Sequence, residues 1–154
     1  MPVSNGRPVS AIRLDRLDPA QPNVGVRIDA RGAVFLSQGL RTEPSQDDYN
    51  TTAIVNTTVG SVVRYAIHNT KAGKYAVTLS VASGQANTLA QLALEMYLDG
   101  EIAATFNANA TGGDHKWVKT NSYDVEIPLG WHTLEFRWKS DGLNMSRILI
   151  APAK

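Results

Sequence analysis

The chain has 154 residues, 43% of them hydrophobic and 19% charged, with a formal net charge of +1. That composition suits one globular domain and not a disordered chain, and so small a charge supplies no long-range field for nucleic acid or an anionic membrane. The lack of cysteine excludes disulfides and thiolate metal sites, and no apolar run reaches membrane-spanning length.

Met1 to Ser10 is polar, carries Pro2, Gly6 and Pro8, and reads as a tail or linker. It has no signal-peptide core. The domain proper is expected over residues 11–154. Ala11 to Leu17 spaces Ile12, Leu14 and Leu17 as a short edge strand, and Asp18 to Asn23 is a turn-rich break. Val24 to Ala30 is the first secure strand, and Ala33 to Leu36 a second short one. Thr42 to Thr52 reads as a polar loop holding Asp47, Asp48 and Tyr49, the kind of loop on which binding residues sit.

From Gly60 onward apolar and polar residues alternate with period two, and turn residues punctuate the runs. Val63, Tyr65 and Ile67 share one face. Tyr75, Val77, Leu79 and Val81 form a second, followed by Leu92, Leu94, Met96 and Leu98, then Leu134, Phe136 and Trp138. Leu89 to Met96 mixes helical and extended periods, but the Asp99-Gly100 hairpin signal that follows favours a strand. Gly84 to Ala90 and Asn107 to Lys116 are expected to be long loops. Half-buried antiparallel strands in this number predict an all-β fold, a β-sandwich of two antiparallel sheets.

Several of these segments resemble motifs of the family 6 and family 35 carbohydrate-binding modules. Val26 to Ala30 resembles the opening Ile-Glu-Ala-Glu strand, and Gly60 to Tyr65 the Gly-Asp-Trp-Val-x-Tyr strand. Ala72 to Tyr75 matches Ala-Gly-x-Tyr, Val81 to Gly84 matches Val-Ala-Ser-Gly, and Leu98 to Gly100 matches Val-Asp-Gly. Thr111 to Gly113 with Trp117 resembles Thr-Gly-Gly-Trp-x-x-Trp. Leu129 to Leu134 resembles Pro-Ala-Gly-x-His-Thr-Leu, and Gly142 to Ile148 the closing Gly-Phe-Asn-Leu-Asp-x-Ile. The resemblance runs in order from about Val24 to Ala151.

It implies a jelly-roll sandwich and a non-catalytic module that adsorbs to a polysaccharide or oligosaccharide, targets an attached catalytic domain and works outside the cell. The family site is a loop-end cleft with two aromatic walls and the Asn of the closing strand. Sugars stack on aromatic faces and bond to amides and carboxylates. Here Val62 stands where the first aromatic is common, and Asp114 stands at the first Trp of Trp-x-x-Trp. The candidates are therefore Trp117, Asn144, Asp114 and His115, with Tyr49 as a substitute aromatic. Trp117 also shares parity with Tyr123, Val125 and Ile127, which points to the core instead.

The family's structural calcium has acidic ligands on the opening and closing strands. Asp29 keeps one position, while Arg31 and Ser146 replace the others, so a structural calcium is not favoured there, with backbone carbonyls and Asp29 left as a weak alternative site. The other reading is a structural or interaction β-sandwich with no sugar site. A hydrolase or lyase has less support. His68, His115 and His132 lack metal spacing, no Gly-x-Ser-x-Gly elbow exists, and nothing pairs Glu95 with Glu126.

Overall fold

A computed structural model of the chain describes residues 32–46, 52–86 and 91–153, together with the backbone of the strands at 12–13 and 26–29. The tail assigned to residues 1–10 and the turn-rich break at 18–23 lie outside the described residues.

Thirteen strands run in chain order. The first five are β1 (Ile12–Arg13), β2 (Val26–Asp29), β3 (Phe35–Leu36), β4 (Arg41–Pro44) and β5 (Thr52–Val55). Next come β6 (Val62–Asn69), β7 (Gly73–Ser83), β8 (Gln91–Leu98) and β9 (Glu101–Asn109). The last four are β10 (Gly113–Lys119), β11 (Tyr123–Ile127), β12 (Gly130–Trp138) and β13 (Asn144–Pro152). They form two sheets. One has the order β1-β6-β12-β8-β9, with β3 also on β6. The other has the order β10-β7-β13-β5-β4, with β11 also on β7 and β2 on β13. All pairings are antiparallel except the two-residue contact of β1 with β6. The sequence-derived sandwich is what the chain adopts.

Burial follows the alternation. Strand β6 buries Val63, Tyr65, Ile67 and Asn69 and leaves the residues between them half-exposed. Leu134 stands opposite both Tyr65 and Leu98, and Phe136 opposite Val63 and Met96. Tyr65 and Phe136 meet edge to face at 6.0 Å, a geometry that suits the ring quadrupoles. Trp138 is 1% exposed, and its indole N–H donates to the Leu143 carbonyl at 2.7 Å. The Asp99-Gly100 turn has φ values of 52° and 87°. Two consecutive left-handed residues define the tight hairpin turn whose twist matches that of the strands.

Two expectations need correction, and one segment carried none. Thr42 to Thr52 is not a loop throughout, because its first residues belong to β4, which pairs with β5. Asn107 to Lys116 is mostly strand: β9 runs to Asn109 and β10 starts at Gly113, leaving a short turn. The segment 101–109, unassigned from sequence, is β9. Strands β4, β9 and β10 are the outermost in their sheets. Backbone bonds along one side hold an edge strand and ask little of side-chain pattern.

The outer face of the six-stranded sheet is an ionic and aromatic layer. Glu135 accepts from Arg64 at 2.6 Å and also from Arg137. Burial pushes its carboxyl up, but these two guanidiniums outweigh that and hold it below the usual carboxylate range. Arg137 lies 3.9 Å over the Tyr97 ring, and Tyr97 donates to Glu95 at 3.0 Å. The outward Tyr97 thus has a cross-strand packing role. Trp131 packs at a tilt on His68 at 4.7 Å and stays 41% exposed.

Candidate functional site

One end of the sandwich gathers the β5–β6 turn, the residues after β7, the β9–β10 turn and the start of β13. The ladder between β10 and β7 is irregular there. Gly113 pairs with Ser83 and Val118 with Val81, so residues 114–117 stand opposite the single residue Ala82. A bulge bends its strand and re-aims side chains. Here it carries β10 away from the sheet toward β4. His115 Nε2 comes within 2.6 Å of Glu43 Oε2, and the Trp117 indole N–H donates to the Ser45 carbonyl at 2.7 Å.

The bulge also takes Trp117 off the parity that pointed to the core. Val125 and Ile127 are buried and Tyr123 packs on the core, as shared parity predicts. Trp117 is only half-buried and lies outside that core. Its alternation was broken before it reached the sheet. The His115 and Trp117 rings meet edge to face at 6.3 Å.

Between β4 and β10 lies an open cleft of about 280 Å³. Arg41 and Glu43 line it from β4, and Val55, Asn56 and Thr57 from the end of β5 and its turn. Asp114 lines it from the bulge, with Gly142 and Asn144 from the entry to β13. Asn144 is 5% exposed, and its Nδ2 donates to the Asp114 carbonyl at 3.1 Å. Asp114 is exposed, and its Oδ1 accepts the Gly84 N–H at 3.0 Å. The floor is held by Thr57, whose hydroxyl donates to the Leu143 carbonyl at 3.0 Å and accepts the Leu143 N–H at 2.9 Å.

Four of the five residues singled out from sequence therefore converge. Asp114 and Asn144 line the cleft, while His115 and Trp117 flank it. Tyr49 lies outside the described residues. Arg41, Glu43, Asn56 and Thr57 were not identified from sequence. The nearest signal was the polar stretch after Arg41, which marked the region without naming the residues. No aromatic side chain lines the cleft among the described residues. What it offers is a set of hydrogen-bonding groups: a guanidinium, two carboxylates and two amides.

No three His, Asp or Glu side chains converge as a metal site among the described residues. At the closing-strand position where calcium modules carry an Asp, Ser146 is fully buried, and its hydroxyl has no hydrogen-bond partner among the described residues. The side chains of Asp29 and Arg31, the other two positions considered for calcium, lie outside the described residues. Glu95 faces out of one sheet and Glu126 out of the other, so they form no acid/base pair. No described helix is long and apolar enough to cross a membrane.

Residues 33–150 match the model of the family described as carbohydrate binding module (family 6). Among curated proteins, a cycloisomaltooligosaccharide glucanotransferase of Niallia circulans is 28% identical over 123 residues, 77% of this chain. The match spans only 12% of that enzyme's length. Among solved structures, a carbohydrate-binding module of Cellvibrio mixtus lichenase 5A in complex with cellotriose superposes with a TM-score of 0.70 at 22% identity. That match covers 85% of this chain and 99% of the module. A β-1,3-glucan-binding module from Bacillus halodurans gives 0.69 at 21% identity, covering 82% and 96%.

Proposed function

The chain belongs to carbohydrate-binding module family 6, and from that premise we propose that it binds a glucose-based oligosaccharide or polysaccharide chain in the loop-end cleft. The observation that carries this reading is the convergence of Asp114, Asn144, Arg41 and Glu43 on one open cleft at the bulge. Sugar hydroxyls both donate and accept, and this lining supplies both complements. The choice of glucan draws on the similar proteins, two of which are named for cellotriose and β-1,3-glucan and a third for glucan transfer.

The module's contribution is adsorption. It holds a glycan chain beside a catalytic domain of the parent protein and raises the effective concentration of substrate. An extracellular setting fits a polysaccharide ligand. With no stacking platform in the described lining, affinity is expected to be weak, on the order of micromolar to millimolar. Calorimetric titration with cellotriose, laminaritriose, isomaltotriose and xylotriose tests the reading. Asn144→Ala is expected to abolish binding of whichever probe the wild type takes. A wild type blind to all four, and unretarded in polysaccharide gels, would favour a structural sandwich domain, the reading that the missing aromatic at Val62 supports. Calcium has no part in this proposal. EDTA is expected to leave the melting temperature unchanged, and a drop reversed by added calcium would refute that.

A further inference from the structure

We propose that Gly84 is a positioning residue of the cleft: its bare Cα and its N–H preset the Asp114 carboxylate as a fixed acceptor for two neighbouring hydroxyls of a sugar ring. The inference rests on the saccharide reading above and adds the geometry by which the ligand is recognised.

Gly84 is outside the left-handed region that usually explains a glycine. Space explains it instead. A Cβ at this position would sit 2.8 Å from Asp114 Oδ1 and 3.3 Å from its Cγ. Only a residue without a side chain lets the carboxylate approach close enough to take the Gly84 N–H at 3.0 Å. The other end of Asp114 is fixed as well, because its carbonyl accepts from Asn144 at 3.1 Å. The turn beneath is braced by Thr111, whose N–H donates to the Ser83 carbonyl at 2.9 Å and whose hydroxyl accepts the Ser83 N–H at 3.0 Å.

An exposed Asp side chain ordinarily samples several rotamers, and fixing one costs entropy on binding. Here that ordering is built into the free protein. Oδ1 has a lone pair left, and Oδ2 makes no hydrogen bond to the described residues. Carboxylate oxygens fixed in one plane match the O–H groups on adjacent ring carbons. Arg41, on the facing wall, has its guanidinium free of any partner among the described residues and can donate back to the same hydroxyls. A diol with a preset acceptor on one side and a donor on the other is recognised by its edge, which suits a cleft whose described lining has no stacking platform.

The test titrates wild type, Gly84→Ala, Asp114→Ala and the double variant with cellotriose, laminaritriose and isomaltotriose. Each single variant is expected to weaken binding about tenfold, the worth of a hydrogen bond to a charged group. The double variant should be no weaker than Asp114→Ala alone, since Gly84 acts only through that carboxylate. The Gly84 amide proton resonance should move upfield in Asp114→Ala without ligand. Additive losses, or an unchanged amide shift, would overturn the positioning role while leaving saccharide binding intact. Wild-type binding with Gly84→Ala equally tight would do the same. If the wild type binds none of the probes, the saccharide reading fails and this inference with it.

Discussion

Thr57 provides a direct test of what holds the cleft floor. It is 3% exposed, and its hydroxyl both donates to and accepts from Leu143. Thr57→Val keeps the shape and removes the hydroxyl. The Leu143 carbonyl stays satisfied, because it also accepts from Trp138 at 2.7 Å. The Leu143 N–H has no such second partner among the described residues, and Leu143 is 1% exposed. One orphaned buried donor costs about 1–3 kcal/mol, so a destabilisation of about 2 kcal/mol is expected. Thr57→Ser keeps both bonds and loses one buried methyl, worth about 1 kcal/mol. For a chain of this size each kcal/mol moves the melting point by about 2–4 °C. Valine should therefore lower it by about 4–8 °C and serine by about half as much. Thermal unfolding followed by circular dichroism, with urea melts for the free energies, measures both. A serine variant less stable than the valine variant would show that the methyl, not the hydroxyl, secures this turn, and the hydrogen-bond account would fail.

His132 has Nδ1 2.6 Å from Asp99 Oδ2 and Nε2 2.8 Å from the Pro128 carbonyl, two acceptors that only the imidazolium satisfies together. Burial pulls its pKa down, but the bonds to Asp99 and Pro128 outweigh that and raise it. Desolvation likewise pushes Asp99 up, and the bonds from His132 and Thr133 bring it below the ordinary range. The raised histidine contributes stability that is complete below its unfolded value of about 6.5 and disappears as pH rises through the folded value. The lowered carboxyl contributes above about 4 and loses its share as pH falls. Melting temperature should thus hold a plateau between these values and decline on the alkaline side. His132→Gln should flatten that decline, and an identical alkaline slope in the variant would count against the clamp. Asn69, 1% exposed, donates to the Ile127 and Pro128 carbonyls at 2.9 and 3.2 Å and accepts from Lys71 N–H and Tyr75 O–H at 3.1 and 3.2 Å. Asn69→Ala should cost about 3–4 kcal/mol in urea unfolding, and a loss under 1 kcal/mol would mean water replaces the amide.

The strands that alternate cleanly, β6, β7, β8 and β12, were legible because each buries one face against the other sheet, and the pattern of burial is written in every second residue. Strands β4, β9 and β10 were not. Arg41-Thr42-Glu43-Pro44 has no apolar stripe, and β9 fills its inner face partly with Ala104 and Ala108, which signal weakly. Of the site, Asp114, His115, Trp117 and Asn144 came from segments that resemble a known family. Arg41, Glu43, Asn56 and Thr57 belong to no such motif.

Alternation, turn chemistry and composition were enough to establish a two-layer β domain, because each follows from what a residue and its near neighbours do with water. The cleft was decided by tertiary structure alone. It depends on three extra residues in one edge strand and on a hairpin about 70 positions earlier in the chain arriving opposite them. Such a meeting is set by how whole sheets stack and twist, a long-range outcome with no local imprint.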